Sequence, residues 1–194
     1  MVYRYEAPSF PKTNQGFGDR EEDGGLSSRT DSYLGNRCSC LRYWLCITIP
    51  ENWQIVRERL VWGVEERYQK TISRLARDDF LIFYTTNPQK AIAGIYTVAS
   101  SWYHENTPIG WVKRAKGKPV LTTFPFRVRI SPHIVPSQPV PVDEELFERL
   151  LFVTDKSPRG RVVFFFPSMV LISDEDFKSI VSWLENKIEQ RPAT

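Results

Sequence analysis

The sequence is poor in the groups that catalysis, metal binding and membrane insertion need. It holds two histidines, His104 and His133, and neither stands in a pattern with serine or cysteine that would pair a nucleophile with its base. There is no Gly-x-Ser-x-Gly, no glycine-rich phosphate loop, no His-Glu-x-x-His and no deaminase zinc signature. The acidic pairs Glu65-Glu66 and Asp78-Asp79 read as a helix start and a surface turn. We therefore expect no enzyme, no cofactor and no metal. The three cysteines, Cys38, Cys40 and Cys46, are odd in number and lack partners at zinc spacing, which points to free thiols in a reducing compartment. Cys46, inside an apolar run, reads as a small packed hydrophobe. No stretch reaches the roughly 18 apolar residues of a membrane-spanning helix, and the N-terminus has no hydrophobic signal core. No membrane partner is expected, and the cytoplasm is the expected location. Charge of one sign is also not in large excess. With 26 basic and 23 acidic residues the formal net charge is +3, which permits nucleic-acid contact without demanding it.

What is present divides the chain in two. Residues 1–41 are dominated by glycine, serine, asparagine and mixed charge, with no sustained apolar period, and are expected to form a disordered leader. A single domain is expected over 42–190. Tyr43 to Ile49 is aromatic and β-branched, which predicts a buried strand. Pro50 suits a first helical turn, and Thr48 with Glu51 has the spacing of a capping box. That helix should run to about Leu60. A second helix is expected from about Glu66, then a strand at Phe80–Thr85, an Asn87-Pro88 turn, and a third strand from Ala91 to Ser100 in which Gly94 marks a bulge or a close backbone approach. Alternation predicts a strand over Thr122–Ile130, with Phe124, Phe126, Val128 and Ile130 inward and Arg127 and Arg129 outward. Residues 132–142 should be extended and irregular. Asp143 should cap a short helix, Arg161–Phe166 should form a further strand, and Ser173 with Asp176 should open a strongly amphipathic last helix.

The residues left over for function are aromatic and basic. Trp62 and Trp111 fall in apparent loops, where a tryptophan has no obvious core duty. Two such rings facing one another would hold a flat ligand between them. The long segment from Ser101 to Lys118 carries Trp102, Tyr103, His104, Lys113, Arg114, Lys116 and Lys118 beside Trp111. Indole and phenol faces stack on nucleobases for about 1–3 kcal/mol each, and nearby cations hold phosphates. A base must first be unstacked to enter such a pocket.

With these residues in view, the chain resembles an EVE domain of the PUA-like superfamily, over about Arg42 to Leu184. Tyr-Trp-Leu-Cys-Ile-Thr from Tyr43, Glu51-Asn52-Trp53, Val61-Trp62-Gly63-Val64, Gly94-Ile95-Tyr96 with Val98, Phe124-Pro125-Phe126-Arg127-Val128 and Asp174-Glu175-Asp176-Phe177 stand in the family's order. The resemblance implies an α+β fold, a small open β-barrel flanked by α-helices. It implies kinship with YTH domains, which read N6-methyladenine in RNA with an aromatic cage. One cage tryptophan there follows the first helix, as Trp62 does. Another lies in a Ser/Thr-Pro-Ile-x-Trp-Val context, matched by Thr107 to Val112. Relatives often place an asparagine just after the first strand's threonine. This chain has Ile49, which leaves Thr48 and Asn52 as the nearest polar groups for a base edge.

The expected function is a non-catalytic nucleic-acid-binding module that reads a modified or flipped base, in RNA or DNA. The candidate base-binding set is Trp62, Trp111, Thr48, Asn52, Gly63 and Tyr103. The candidate phosphate contacts are Lys113, Arg114, Lys116, Lys118, Arg127 and Arg129. Two alternatives stay open: an RNA-processing enzyme of the related ASCH type, whose Gly-x-Lys-x-x-Glu-x-Arg motif is absent here, and a small-metabolite binder using the same pocket.

Overall fold

The computed structural model describes residues 41–86, 90–115, 118–154 and 168–190. The expected leader with Cys38 and Cys40, the Asn87-Pro88 turn, Lys116 and the strand expected at 161–166 lie outside the described residues.

The chain opens with β1 (Tyr43–Thr48), α1 (Pro50–Arg59) and β2 (Val61–Val64). A 3₁₀ turn at Glu66–Tyr68 leads into α2 (Gln69–Ile72), then β3 (Phe80–Thr85) and β4 (Ala91–Val98). Next come β5 (Tyr103–His104), the hairpin strands β6 (Val112–Ala115) and β7 (Lys118–Leu121), and the long β8 (Phe126–Ile134). The described chain closes with β9 (Val140–Pro141), α3 (Glu144–Arg149), α4 (Leu151–Thr154), β10 (Met169–Ile172) and α5 (Asp174–Glu189). The main sheet runs β10-β1-β3-β4-β8-β2, with β5 also on β8 and β9 also on β4. Only β1 and β3 pair in parallel among these; the other ladders are antiparallel. The sheet curls into a half-barrel, so the fold is α+β and PUA-like.

The continuous apolar run of β1 and β3 has a simple cause: both faces of these strands are covered. Trp44, Cys46, Leu81 and Phe83 enter a core with Trp53, Val56, Tyr96 and Val128, under α1. Leu45, Ile82 and Tyr84 enter a second core with Phe177, Ile180, Trp183 and Leu184, under α5. Burial pushes the Cys46 thiol well up, as a packed hydrophobe requires. A break in register where Phe83 pairs Gly94 and Tyr84 pairs Ile92 leaves Ala93 as the extra residue beside Gly94.

The caps are a mixed result. Asp143 accepts from the Leu146 amide at 3.1 Å, and Ser173 Oγ accepts from the Asp176 amide at 3.1 Å, both as the sequence predicts. The Thr48–Glu51 box does not form. Ile49 takes the cap position with no side-chain bond, because Thr48 is still held in β1 opposite Thr85. Asp79, read as part of a surface turn, is buried. Its carboxylate accepts from the amides of Arg42 (3.1 Å) and Ala76 (3.0 Å) and from the Trp44 indole (3.2 Å).

The largest departure lies at Trp62-Gly63, expected in a loop. Leu60 ends α1 in the left-handed conformation, at φ 51°, and turns the chain straight into β2. There Trp62 pairs Val128 and Gly63 pairs Arg127 on β8. Similarly, β8 continues to Ile134, where irregular chain was expected.

Candidate functional site

Successive side chains of a strand point to opposite faces, and β2 uses this. Trp62 points into the core, 4% exposed, with its ring edge-on to Phe83 at 5.4 Å. Its indole N–H is buried there without a hydrogen-bond partner. Gly63 faces the other way, and Trp111 lies on it. A Cβ added at Gly63 would meet Trp111 Cη2 at 2.5 Å and the Phe124 carbonyl oxygen at 3.0 Å. The missing side chain therefore makes the bed on which the indole rests.

Arg127, the cross-strand partner of Gly63, shares that face. Its guanidinium carbon is 5.1 Å from the Trp111 ring centre, a cation–π contact. Its Nε donates to the Phe124 carbonyl at 2.9 Å, another of its nitrogens donates to the Thr107 carbonyl, and a third pairs with Glu105 at 3.1 Å. Phe124 packs on Trp111 at 5.2 Å between ring centres. From the other side, Asn52 closes a two-way clamp on Val112: Nδ2 donates to the carbonyl at 2.7 Å, and the Val112 amide donates to Oδ1 at 2.8 Å. The Thr122 amide donates to the Trp111 carbonyl at 2.8 Å. Three separate segments thus pin Trp111, which is 1% exposed.

Several expectations are corrected by this geometry. Trp62 and Trp111 are not two walls of an open slot; they lie against opposite faces of β2, each buried by protein. Arg127 does not face outward to phosphate: its side chain is 2% exposed and its donors are spent on Glu105, Thr107 and Phe124. Period-two alternation places it on the solvent side of β8, but Trp111 covers that side. Phe124, expected to face the core, is half-buried beside Trp111 and lies ahead of β8. Asn52 spends its amide on the Val112 backbone, and Thr48 is a buried strand residue whose hydroxyl lies 3.4 Å from the Ile49 carbonyl.

Other expected residues are brought together. Tyr103, on β5 opposite Arg127, is half-buried on the same face. Burial raises its phenol, with Arg129 opposing, Glu105 adding and Arg127 opposing. Arg129 is exposed on β8. Lys113 is exposed and 3.9 Å from Glu65, Arg114 pairs with Glu51 at 2.9 Å, and Lys118 is exposed on β7.

A cleft of about 460 Å³ is lined by Glu65, Glu66, His104, Lys113, Thr122 and Phe126 among others; Trp111 does not line it but is joined to its wall through the Thr122 amide. One lining residue, His104, and one neighbour of the lining, Trp102, were missed as site residues. His104 lies edge-on to Phe126 at 5.2 Å, and Trp102, 37% exposed, is tilted against the same ring at 6.0 Å. The basic–aromatic composition of 101–118 carried the signal; only the pairing of β5 with the start of β8 brings His104 to Phe126. Among the described residues no group of three or more His, Cys, Asp or Glu stands ready to hold a metal, and no helix is long and apolar enough to cross a membrane.

A curled mixed sheet with helices on both sides, and a cleft where β2, β5 and the root of the β6–β7 hairpin meet, is the architecture of a PUA-like domain. Within that class the chain belongs to the EVE domain family, whose model matches residues 42–183. A UPF0310 protein of Pyrococcus abyssi is 32% identical over 156 residues, covering 74% of this chain and all of that protein. Two solved structures share the fold at low identity. Human THYN1, in complex with DNA containing 5-methylcytosine, superposes with a TM-score of 0.50 at 17% identity, covering 78% of this chain and 99% of its own. The YTH domain of Zygosaccharomyces rouxii MRB1, in complex with N6-methyladenosine RNA, gives 0.51 at 15% identity, covering 74% and 86%.

Proposed function

We propose that this chain is a non-catalytic nucleic-acid-binding module that reads a modified or flipped base in an aromatic site. The observation that carries the reading is the juxtaposition of a flat-bedded tryptophan with an open cleft lined by the Phe126 and His104 rings, with Trp102 tilted against Phe126. The cleft is larger than a single nucleobase. Family membership supports the reading, as do fold relatives caught on methylated DNA and RNA.

In this reading a base enters the cleft and meets His104 and Phe126 on one side. Trp111 leaves Gly63 and comes round the start of β8, from the face it shares with Arg127 and Tyr103, to close on its other face. The indole is held by its packing on Gly63, Phe124 and the Arg127 guanidinium, so the stacking of the bound base must replace that packing for the swing to occur. Lys113, Lys118 and Arg129 hold the flanking phosphates. Glu65 and Glu66 discourage phosphate inside the cleft and leave the base as its occupant.

The test is a titration of oligonucleotides bearing 5-methylcytosine or N6-methyladenine, and their unmodified counterparts, against the wild type, Trp111→Ala and His104→Ala. Loss of one stacking partner should weaken binding by about 1–3 kcal/mol. Equal affinity in all three proteins would reject the site.

A further inference from the structure

The arginines of the described chain fall into two groups. Arg42, Arg67, Arg114, Arg127 and Arg149 each pair with a carboxylate. Arg57, Arg59, Arg74, Arg77 and Arg129 are exposed, and among the described residues no carboxylate lies in ion-pair reach of them. A single exposed arginine marks nothing. Here three of the unpaired ones come from separate segments to one rim of the half-barrel.

Backbone hydrogen bonds draw that rim. The Ile130 amide donates to the Leu60 carbonyl at 3.0 Å, Ile130 pairs Val98, and the Asp78 amide donates to the Val98 carbonyl at 3.0 Å. Leu60, Ile130, Val98 and Asp78 thus form a row, with three strand spacings making it roughly 15 Å wide. Arg59, Arg129 and Arg77 each stand one residue from this row. Glu58 and Asp78 are exposed in the same segments, but neither pairs with these arginines, so the rim stays cationic. The rim is also continuous with the cleft. β8 runs from Phe126, in the cleft lining, to Arg129, roughly 10 Å along the strand. The charge of Arg129 is felt at the Tyr103 phenol, and its neighbour His104 lines the cleft.

Taking the base-reading function as given, we propose that this arginine rim holds the backbone of the single nucleic-acid strand that leaves the cleft. Arg129 takes the strand first, and Arg59 and Arg77 clamp it from either side. Guanidinium forks match phosphate oxygens in charge and geometry. α3 and α5 carry an excess of carboxylates, which turns a polyanion away from the helices and toward the rim. Segments 57–61, 74–79 and 128–131 expose no large apolar side chain, so the rim lacks the anchor that a lipid surface needs. Its continuity with the cleft selects the strand whose base is bound there. About four nucleotides cover the path from the cleft across the rim.

The experiment uses the full chain, a ten-nucleotide single strand carrying one 5-methylcytosine or N6-methyladenine, in DNA and RNA form, and the matching modified dinucleotides. Arg59→Gln with Arg77→Gln is compared with Lys90→Gln with Lys178→Gln, which removes the same charge far from the rim. The arginine variant should lose on the order of tenfold in affinity for the long strand, and its slope of log affinity against log salt should be shallower by about 1.4. Its affinity for the dinucleotides should be unchanged, as should its thermal melt. An unchanged salt slope for the long strand, or an equal loss in the lysine variant, overturns the rim and leaves base reading standing. A loss that extends to the dinucleotides does the same, since it places the effect in the cleft. Polyglutamate that displaces the long strand from wild type, residue for residue, as well as unlabelled strand does makes the rim a general anion surface and also overturns the proposal. Wild type that binds neither the strands nor the dinucleotides overturns base reading and rim together.

Discussion

At the scale of single residues, one absent side chain sets the geometry of the site. Gly63 leaves backbone bare, and Trp111 fills the space. Gly63→Ala puts a methyl group 2.5 Å from a ring carbon, so the indole must lift. We expect a red-shifted tryptophan emission and a loss of about 1–3 kcal/mol from overpacking; an unchanged emission maximum would mean that Trp111 is not bedded there. Asp79 is a second single-residue test. Its carboxylate satisfies two backbone amides and the Trp44 indole where β1, β3 and the turn after α2 converge. Asp79→Ala leaves those donors orphaned and should cost about 2–4 kcal/mol in denaturant unfolding. A cost within the noise of a surface substitution would contradict the burial. Neither role was legible from the sequence. Gly63 read as a loop glycine and Asp79 as half of a surface turn, because which groups lie opposite them is decided by pairing across the sheet.

At the scale of elements, local chemistry was legible where it closes on itself. The Asp143 and Ser173 caps need only residues three apart, and both form. The Thr48 box fails although its spacing is right, since a strand holds Thr48 first. Alternation correctly put Phe126, Val128 and Ile130 inside and misplaced Arg127, because a loop ring covers the face that β8 presents to solvent. The Asp143 cap also predicts a pH response. Burial alone would raise its carboxyl. Hydrogen bonds from Lys187 and the Leu146 amide, the charge of Lys187 and the bond from the Trp183 indole bring it below its ordinary 3.8. A lowered folded value means that the stabilisation is fully present above 3.8 and disappears as pH falls through the lower value. Melting temperature followed through that acid range should fall less steeply in Asp143→Asn than in wild type; parallel curves would show that Asp143 does not contribute.

At the scale of the whole molecule, the half-barrel brings segments far apart in the chain to one edge: the end of β2, the short β5, the root of the hairpin and the start of β8. The order of motifs along the sequence was enough to place the chain in its fold. It was not enough to locate the cleft, because aromatic composition marks a segment and not the direction its rings face. With Lys113, Lys118 and Arg129 as the proposed phosphate contacts of a strand too short to reach Arg59, log affinity should fall against log salt with a slope of only about −2 to −3. A steep salt slope would instead assign the affinity to charge alone. The most direct measurement is the intrinsic tryptophan fluorescence of wild type and Trp111→Ala during titration with one oligonucleotide in modified and unmodified form. The account predicts tighter binding of the modified strand by wild type, an emission change that disappears in Trp111→Ala, and a matching loss of affinity. Identical curves for the two strands, or an emission change that survives in Trp111→Ala with affinity intact, would contradict it.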